Sequence, residues 1–164
     1  MAHRHGSTRE WFDHPDPDTG KAGLSFGCTQ CGNCCTGPPG YVGFTAAEAE
    51  AIAKRLGLSH DDFIERYTHD TRAGRSINEH KTEHGYDCVF LDRTTIPGKA
   101  VCGIYEDRPA QCRAWPFWTS TIRSRRDWNN AGQTCPGIGR GTHYKPQQIR
   151  VIRATEGESE PARA

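Results

Sequence analysis

Long apolar runs are what this sequence most lacks: nowhere do its 164 residues approach the roughly 20 consecutive apolar positions that a membrane span requires. The first 27 residues hold no apolar core of the kind a secretory leader needs and are rich in His, Asp and Gly instead. No membrane association is expected, and a cytoplasmic chain in which structural disulfides do not persist. An excess of one charge is missing too. With 21 Lys and Arg against 20 Asp and Glu, the net charge is +1, so no nucleic-acid partner is expected from bulk electrostatics. The one dense basic patch, Arg123-Ser-Arg125-Arg126, reads as a solvated helix face. A Ser-His-Asp set, a phosphate loop, a dinucleotide fingerprint and a prominent carboxylate pair are all absent. No catalytic residue is singled out, and any catalysis would have to reside at a bound metal. Apolar residues make up only 34% of the chain. A core that thin often needs a covalent or metal staple.

What is abundant is cysteine, eight in all. Four of them stand in Cys28-Thr-Gln-Cys31-Gly-Asn-Cys34-Cys35, a stretch with no charged side chain. The others are Cys88, Cys102, Cys112 and Cys135. In a reduced chain the usual occupant of clustered thiols is a metal ion or an iron-sulfur cluster, because soft thiolates bind Zn(II) and Fe strongly.

Around the cysteines the pattern predicts short elements. Residues 1–23 are polar and turn-rich and read as a flexible arm, in which Trp11 and Phe12 dock on the domain surface and His3 and His5 are solvated. Thr45-Ala-Ala-Glu48 is a capping box, Ala49, Ile52, Ala53 and Leu56 share a helical face, and Gly57 is the left-handed stop. A second helix opens at Ser59 and presents Phe63, Ile64 and Tyr67. Residues 67–86 read as a loop with weak helix or strand. Within it His80 and His84 have the spacing to share a metal only if the segment is helical. Residues 88–92 and 100–105 read as a β-hairpin whose loop holds Pro97-Gly98, with Cys88 and Cys102 on matching faces. Asp107 would cap a short helix through Arg113, residues 120–130 would be helical with Ile122 and Trp128 as anchors, and Trp115, Phe117 and Trp118 would cover the site or the core. A helical piece around Ile149 and Ile152 fades into a disordered tail over 156–164.

A zinc ribbon usually shows two C-x2-C pairs. Here the run is C-x2-C-x2-C-C, closer to the bacterial ferredoxin run in which three nearby thiolates wrap three corners of a cubane. Pro38 stands where the local fourth cysteine would be, so a remote one must close the site. Cys135-Pro136 has the Cys-Pro form of that remote ligand. Adjacent side chains in extended backbone point to opposite faces, so Cys34 and Cys35 would serve different metal atoms unless the chain turns sharply there. Two four-thiolate sites are one arrangement, for example Cys28, Cys31, Cys34 and Cys135 with Cys35, Cys88, Cys102 and Cys112; a single site with four structural or redox cysteines is the other. Four thiolates around Zn(II) or a [4Fe-4S] cluster leave a formal charge of about −2. Arg108 and Arg113 flank Cys112 and are candidates to offset it, while Gly32, Gly37 and Gly40 would let backbone amides approach sulfur.

Four separated motifs resemble one family: Phe26-Gly-Cys-Thr-Gln-Cys-Gly-Asn-Cys-Cys35, Cys88-Val-Phe-Leu91, the run from Cys102-Gly-Ile-Tyr through Cys112 to Trp115-Pro-Phe117, and Cys135-Pro-Gly-Ile138. It is the YkgJ-type cysteine-cluster family, a zinc- or iron-chelating domain with the C-x2-C-x2-C-C signature. The resemblance implies metal binding. Flagellin lysine methylases look like larger relatives that use a [4Fe-4S] cluster in methyl transfer, an activity this shorter chain is not expected to share.

The expected fold is α+β, a small irregular single domain of short helices and a β-hairpin around a cysteine-ligated metal centre. Its parts would be an arm over 1–23, the cysteine-cluster domain over 24–145, and a helical piece with its tail over 146–164. The expected cofactor is a [4Fe-4S] cluster, held first by Cys28, Cys31, Cys34, Cys35 and Cys135, for electron transfer or as accessory to a modification reaction on an unknown partner or substrate protein. The alternative is a structural zinc module that presents a protein-interaction surface.

Overall fold

The structure is a computed structural model that describes residues 9–155. His3, His5 and the 156–164 tail lie outside the described residues. Among the described residues the fold is α+β, with five short α-helices and four separate two-stranded antiparallel sheets. No helix among the described residues is long and apolar enough to cross a membrane.

Local sequence rules account for the first half. Helix α1 (Ala46–Leu56) is opened by Thr45, whose hydroxyl accepts from the Glu48 amide while the Glu48 carboxylate accepts from the Thr45 amide, and Gly57 ends it at φ +68°. Helix α2 (His60–Tyr67) is opened by the Ser59 hydroxyl. Their apolar faces, Ala49, Ile52, Ala53 and Phe63, bury against Ile77, Phe90 and Ile104 to form a first core. Tyr67 stacks between Phe63 and Phe90, with ring centroids 6.2 and 5.3 Å away.

Residues 67–86 differ from the expected loop. They form one hairpin, β2 (Thr68–Thr71) with β3 (Gly74–Ile77), and most of a second, β4 (Glu79–Thr82) with β5 (Gly85–Cys88). Both turns share a Thr-x-x-Gly frame, Thr71 to Gly74 and Thr82 to Gly85. In each, the Thr hydroxyl donates to the Gly carbonyl and accepts from the amide two residues on. Their polar strands bury few apolar side chains, which is why hydrophobic alternation does not reveal them. The repeated Thr-x-x-Gly spacing is the signal that would have.

The hairpin predicted over 88–105 is also redrawn. Cys88 belongs to β5 and pairs with Glu79, and only β6 (Leu91–Asp92) pairs with β7 (Val101–Cys102), placing Leu91 opposite Cys102. The Asp107 cap is not used. Pro109 holds Arg108 in extended backbone, φ −56° and ψ 140°, so α3 (Ala110–Ala114) begins only after the proline. Its first amide is capped by a distant carboxylate, that of Glu48, at 2.7 Å, while Asp107 pairs with Arg55.

Helix α4 (Arg125–Thr134) starts later than the spacing predicts, at the Ser124 cap, and buries Trp128. A second core gathers Phe12, Leu24, Phe117, Ile122, Trp128 and Ile149. It joins the ends of the chain: β1 (Leu24–Phe26) pairs with β8 (Thr142–Tyr144), and α5 (Pro146–Thr155) buries Ile149 beside Phe12. The Trp11 indole donates to the Ile122 carbonyl, and Arg150 and Arg153 clamp Glu10 and Asp13. Residues 9–23, expected as part of a flexible arm, are therefore pinned by an apolar anchor and an ion-pair cluster. The basic patch is engaged in the same region, Arg125 with Asp16 and Trp11 and Arg123 with Asp127.

Phe12 is 1% exposed, and Phe12→Ala is expected to cost about 3–5 kcal/mol, measurable by urea unfolding. Burial raises the Asp13 pKa, but hydrogen bonds from Arg150 and the Glu10 amide outweigh it and bring the carboxyl below its ordinary 3.8. A carboxyl whose folded pKa is depressed stabilises the fold above its unfolded pKa and loses that contribution as pH falls through the folded value. The unfolding midpoint should therefore drop on acidification below 3.8, and drop less in Asp13→Asn.

Candidate metal centre

All eight cysteines are free thiols, and all eight line one cavity of about 500 Å³. Ile77 and Ile104 of the first core and Phe26, which packs on the second, form part of its wall. The cavity thus lies where the two cores meet.

Three backbone junctions bring the thiols there. Strand β1 runs straight into Cys28, and beside it Gly27 donates to the Gly137 carbonyl and Gly139 to the Ser25 carbonyl, which sets Cys135 alongside the run. A Cβ on Gly137 would sit 2.1 Å from the Gly27 carbonyl oxygen, so only glycine permits this approach. At the far end of the run, Cys88 donates to the Cys35 carbonyl and Tyr86 to the Gly37 carbonyl, laying the exit of the run along β5. In the middle, Ala100 donates to the Gln30 carbonyl. Cys112 arrives on α3, held by the Glu48 cap and by Gln111, whose side chain bonds Tyr41 and Gly43.

The run itself is wound tightly. Gln30 (φ +58°) and Gly32 (φ +77°) are left-handed, the Gln30 amide donates to the Cys28 sulfur at 3.4 Å, and Cys35 closes a turn onto the Gly32 carbonyl. This sharp turn replaces the opposed arrangement that extended backbone would impose on Cys34 and Cys35, whose sulfurs lie 3.5 Å apart. For Zn–S bonds of about 2.3 Å the edge of a tetrahedral four-sulfur site is about 3.8 Å. Among the described residues, however, no three His, Cys, Asp or Glu side chains converge tightly enough to hold an ion as they stand. The thiols ring the cavity and do not meet at a point.

Their surroundings favour the neutral thiol at several positions. Cys34 opens to solvent, yet its hydrogen bond with Cys35 and the surrounding protein hold its thiol well above the ordinary range. Burial pushes Cys88 up to about 11 and raises Cys102, Cys112 and Cys135 as well. These are neutral thiols at pH 7, which a cation would have to deprotonate on binding.

One guanidinium on the cavity wall is placed to offset thiolate charge. Arg108 lies over the Tyr105 ring at 3.8 Å, donates Nε–H to the Tyr105 carbonyl, and lines the cavity as anticipated. Arg113 pairs with Glu48 instead. Arg93 was not anticipated, because nothing in its sequence position ties it to the cysteines. It forks onto Asp87 at 2.7 and 3.1 Å, Asp87 is 2% exposed, and its pKa is pulled down to about 2, first by the Arg93 hydrogen bond. His80 and His84 sit on a strand and its turn, and neither lines the cavity.

Only two buried polar side-chain atoms among the described residues lack a hydrogen-bond partner, Thr29 Oγ1 and Trp115 Nε1, and both residues line this cavity. The Trp115 indole acts on the Cys135 thiol and favours its anionic form. A buried donor aimed at a thiol is satisfied once that sulfur carries the negative charge of a metal-bound thiolate. The donor set and these unsatisfied atoms fit a thiolate-bound metal.

Residues 27–136 match the family model CxxCxxCC, described as "Putative zinc- or iron-chelating domain". The chain belongs to the CxxCxxCC family. No solved structure matches it. The matched span begins beside Cys28 and ends beside Cys135, so it holds all eight cysteines, while β1, β8, α5 and the residues before β1 complete the second core outside it. Metal binding is the property that the family and the cavity share.

Gly137→Ala should force β1 and the Cys135 turn apart. The expected outcome is metal retention reduced several-fold in chelator competition, with a lowered unfolding midpoint, read by metal content per folded chain.

Proposed function

We propose that this protein carries a [4Fe-4S] cluster in the cysteine cavity and uses it for electron transfer or as accessory to a modification reaction on a partner protein. The observation that supports this most is the juxtaposition of the Cys28-x2-Cys31 run with the remote Cys135-Pro136, the ligand pattern of a ferredoxin-type cubane. Cys28, Cys31 and Cys135, with one of the vicinal pair Cys34 and Cys35, would hold the cluster. When bound, such a cluster exchanges single electrons at a potential set by hydrogen bonds to its sulfurs and by solvent exposure. The Gln30 amide at Cys28 and the Trp115 indole at Cys135 would supply those hydrogen bonds. Trp115 and Trp118, edge to face at 4.9 Å, would limit water on one side. The exposed Cys28 and Cys34 mark the side open to a partner.

A structural zinc site is the second reading, favoured by the 3.5 Å separation of the Cys34 and Cys35 sulfurs. There the metal would fasten the two cores together and present a protein-interaction surface, and its removal should unfold the domain, since structural zinc contributes roughly 10–16 kcal/mol in small domains. Anaerobic purification separates the two. Brown protein with iron and acid-labile sulfide in equal amounts, bleached by Cys31→Ala, is the expected result, and colourless protein with stoichiometric zinc overturns the iron-sulfur reading.

A further inference from the structure

Cys34 and Cys35 are chain neighbours whose sulfurs stand in contact, 3.5 Å apart. Adjacent side chains of an extended strand diverge, so the contact is a product of the turn, in which Gln30 and Gly32 are left-handed and the Cys35 amide closes back onto the Gly32 carbonyl. The turn is held from outside as well. A Cβ on Gly32 would lie 2.6 Å from the Ala100 Cβ, and the Ala100 amide donates to the Gln30 carbonyl. Sulfurs presented in this way need to approach by only about 1.5 Å to reach the roughly 2.05 Å of a disulfide bond.

The pair also stands where an oxidant can reach it and where its movement reaches other cysteines. Cys34 is exposed and Cys35 half-buried, whereas Cys135 is buried. The Cys35 backbone is tied on both sides, its amide to Gly32 and its carbonyl to the Cys88 amide, so closure of a bond falls on Cys34. Next to Cys34, the Asn33 side chain donates to the Thr134 carbonyl, beside Cys135. A displaced Cys34 therefore pulls on the tie that keeps Cys135 against the run. A disulfide between chain neighbours must span a Cα separation of about 3.8 Å, short of the roughly 4.4–6.8 Å of ordinary bridges. Strained and exposed disulfides are the readily reduced ones, so a bond formed here reopens under a thiol.

We infer that Cys34 and Cys35 are a reversible redox switch on the metal centre: hydrogen peroxide joins them in a vicinal disulfide, which withdraws both sulfurs from metal binding, and a small thiol restores them. In the oxidation one sulfur attacks the peroxide, becomes a sulfenic acid and releases one water; the other sulfur displaces that hydroxyl and releases a second. Two thiols and one peroxide thus become one disulfide and two waters. In the reduction two small thiols become one disulfide and give their hydrogens back to Cys34 and Cys35. A disulfide sulfur carries no thiolate charge to offer a cation. The consequence for loading rests on the metal-binding reading, but not on which metal is native.

Full-length protein, stripped of metal and reduced, is treated with one equivalent of hydrogen peroxide, and its remaining thiols are alkylated. Six of the eight cysteines should be alkylated. In the tryptic peptide over residues 22–54, Cys28 and Cys31 should carry the label while Cys34 and Cys35 together have lost two hydrogens. Zinc uptake, read by competition with a chromophoric chelator, should fall several-fold in the oxidised protein and return after dithiothreitol, and Cys34→Ser should abolish the disulfide. A disulfide on a different pair, oxidation without any bond, or zinc uptake unchanged by the Cys34–Cys35 bond overturns the switch. Reduced protein that takes up neither zinc nor iron overturns the metal-binding reading and with it the target of the switch, while the peptide map still decides the bond.

Discussion

The arrangement depends on one constraint: eight thiols are gathered around a cavity between two cores, neither of which is large. Cys88, Cys102, Cys112 and Cys135, whose thiols burial holds above their ordinary range, pack there as small apolar side chains. As thiolates they would repel one another. A bound cation would reverse that balance, since each thiolate would be attracted to it. The two cores meet at this cavity, so the free energy of metal binding and that of docking the cores are coupled.

The backbone around the cavity is built to hold its rim while leaving the sulfurs free to close. Gly137 and Gly27 pass so closely that no side chain fits between them, Gln30 and Gly32 are left-handed, and the Cys35 and Gly37 carbonyls are bound into the edge of β5. Arg93 is fixed by a bidentate bond to a buried carboxylate and Arg108 by a ring face and a carbonyl. A cation preset as Arg108 is would lose little conformational freedom when thiolate charge appears, which would lower the cost of burying that charge.

Much of the site was legible from residue type and spacing. The C-x2-C-x2-C-C run, Cys135, Trp115, Trp118 and Arg108, which the structure brings to one cavity, could all be named from the chain, because thiolate chemistry restricts which residues can serve as ligands. Helices α1 and α2 were equally legible, since their caps and apolar faces are decided within a few residues of each position. Hairpins β2–β3 and β4–β5 were not, because their strands are polar and their order comes from Thr-x-x-Gly turns and from pairing. Arg93 and Asp87 escaped notice because a buried ion pair becomes visible only when both members are seen to leave water together.

By itself the sequence determined that thiols dominate the candidate metal ligands of this chain, four in one run and four far along the chain. Tertiary structure alone decided which cysteines are neighbours, that residues 9–23 and α5 close a second core around Phe12 and Ile149, and that Cys34 and Cys35 share a turn in place of opposite faces. The physical reason is range. Ligand chemistry, capping and helical periodicity act over a handful of residues, whereas the grouping of thiols depends on backbone contacts between segments a hundred residues apart, such as Gly27 with Gly137.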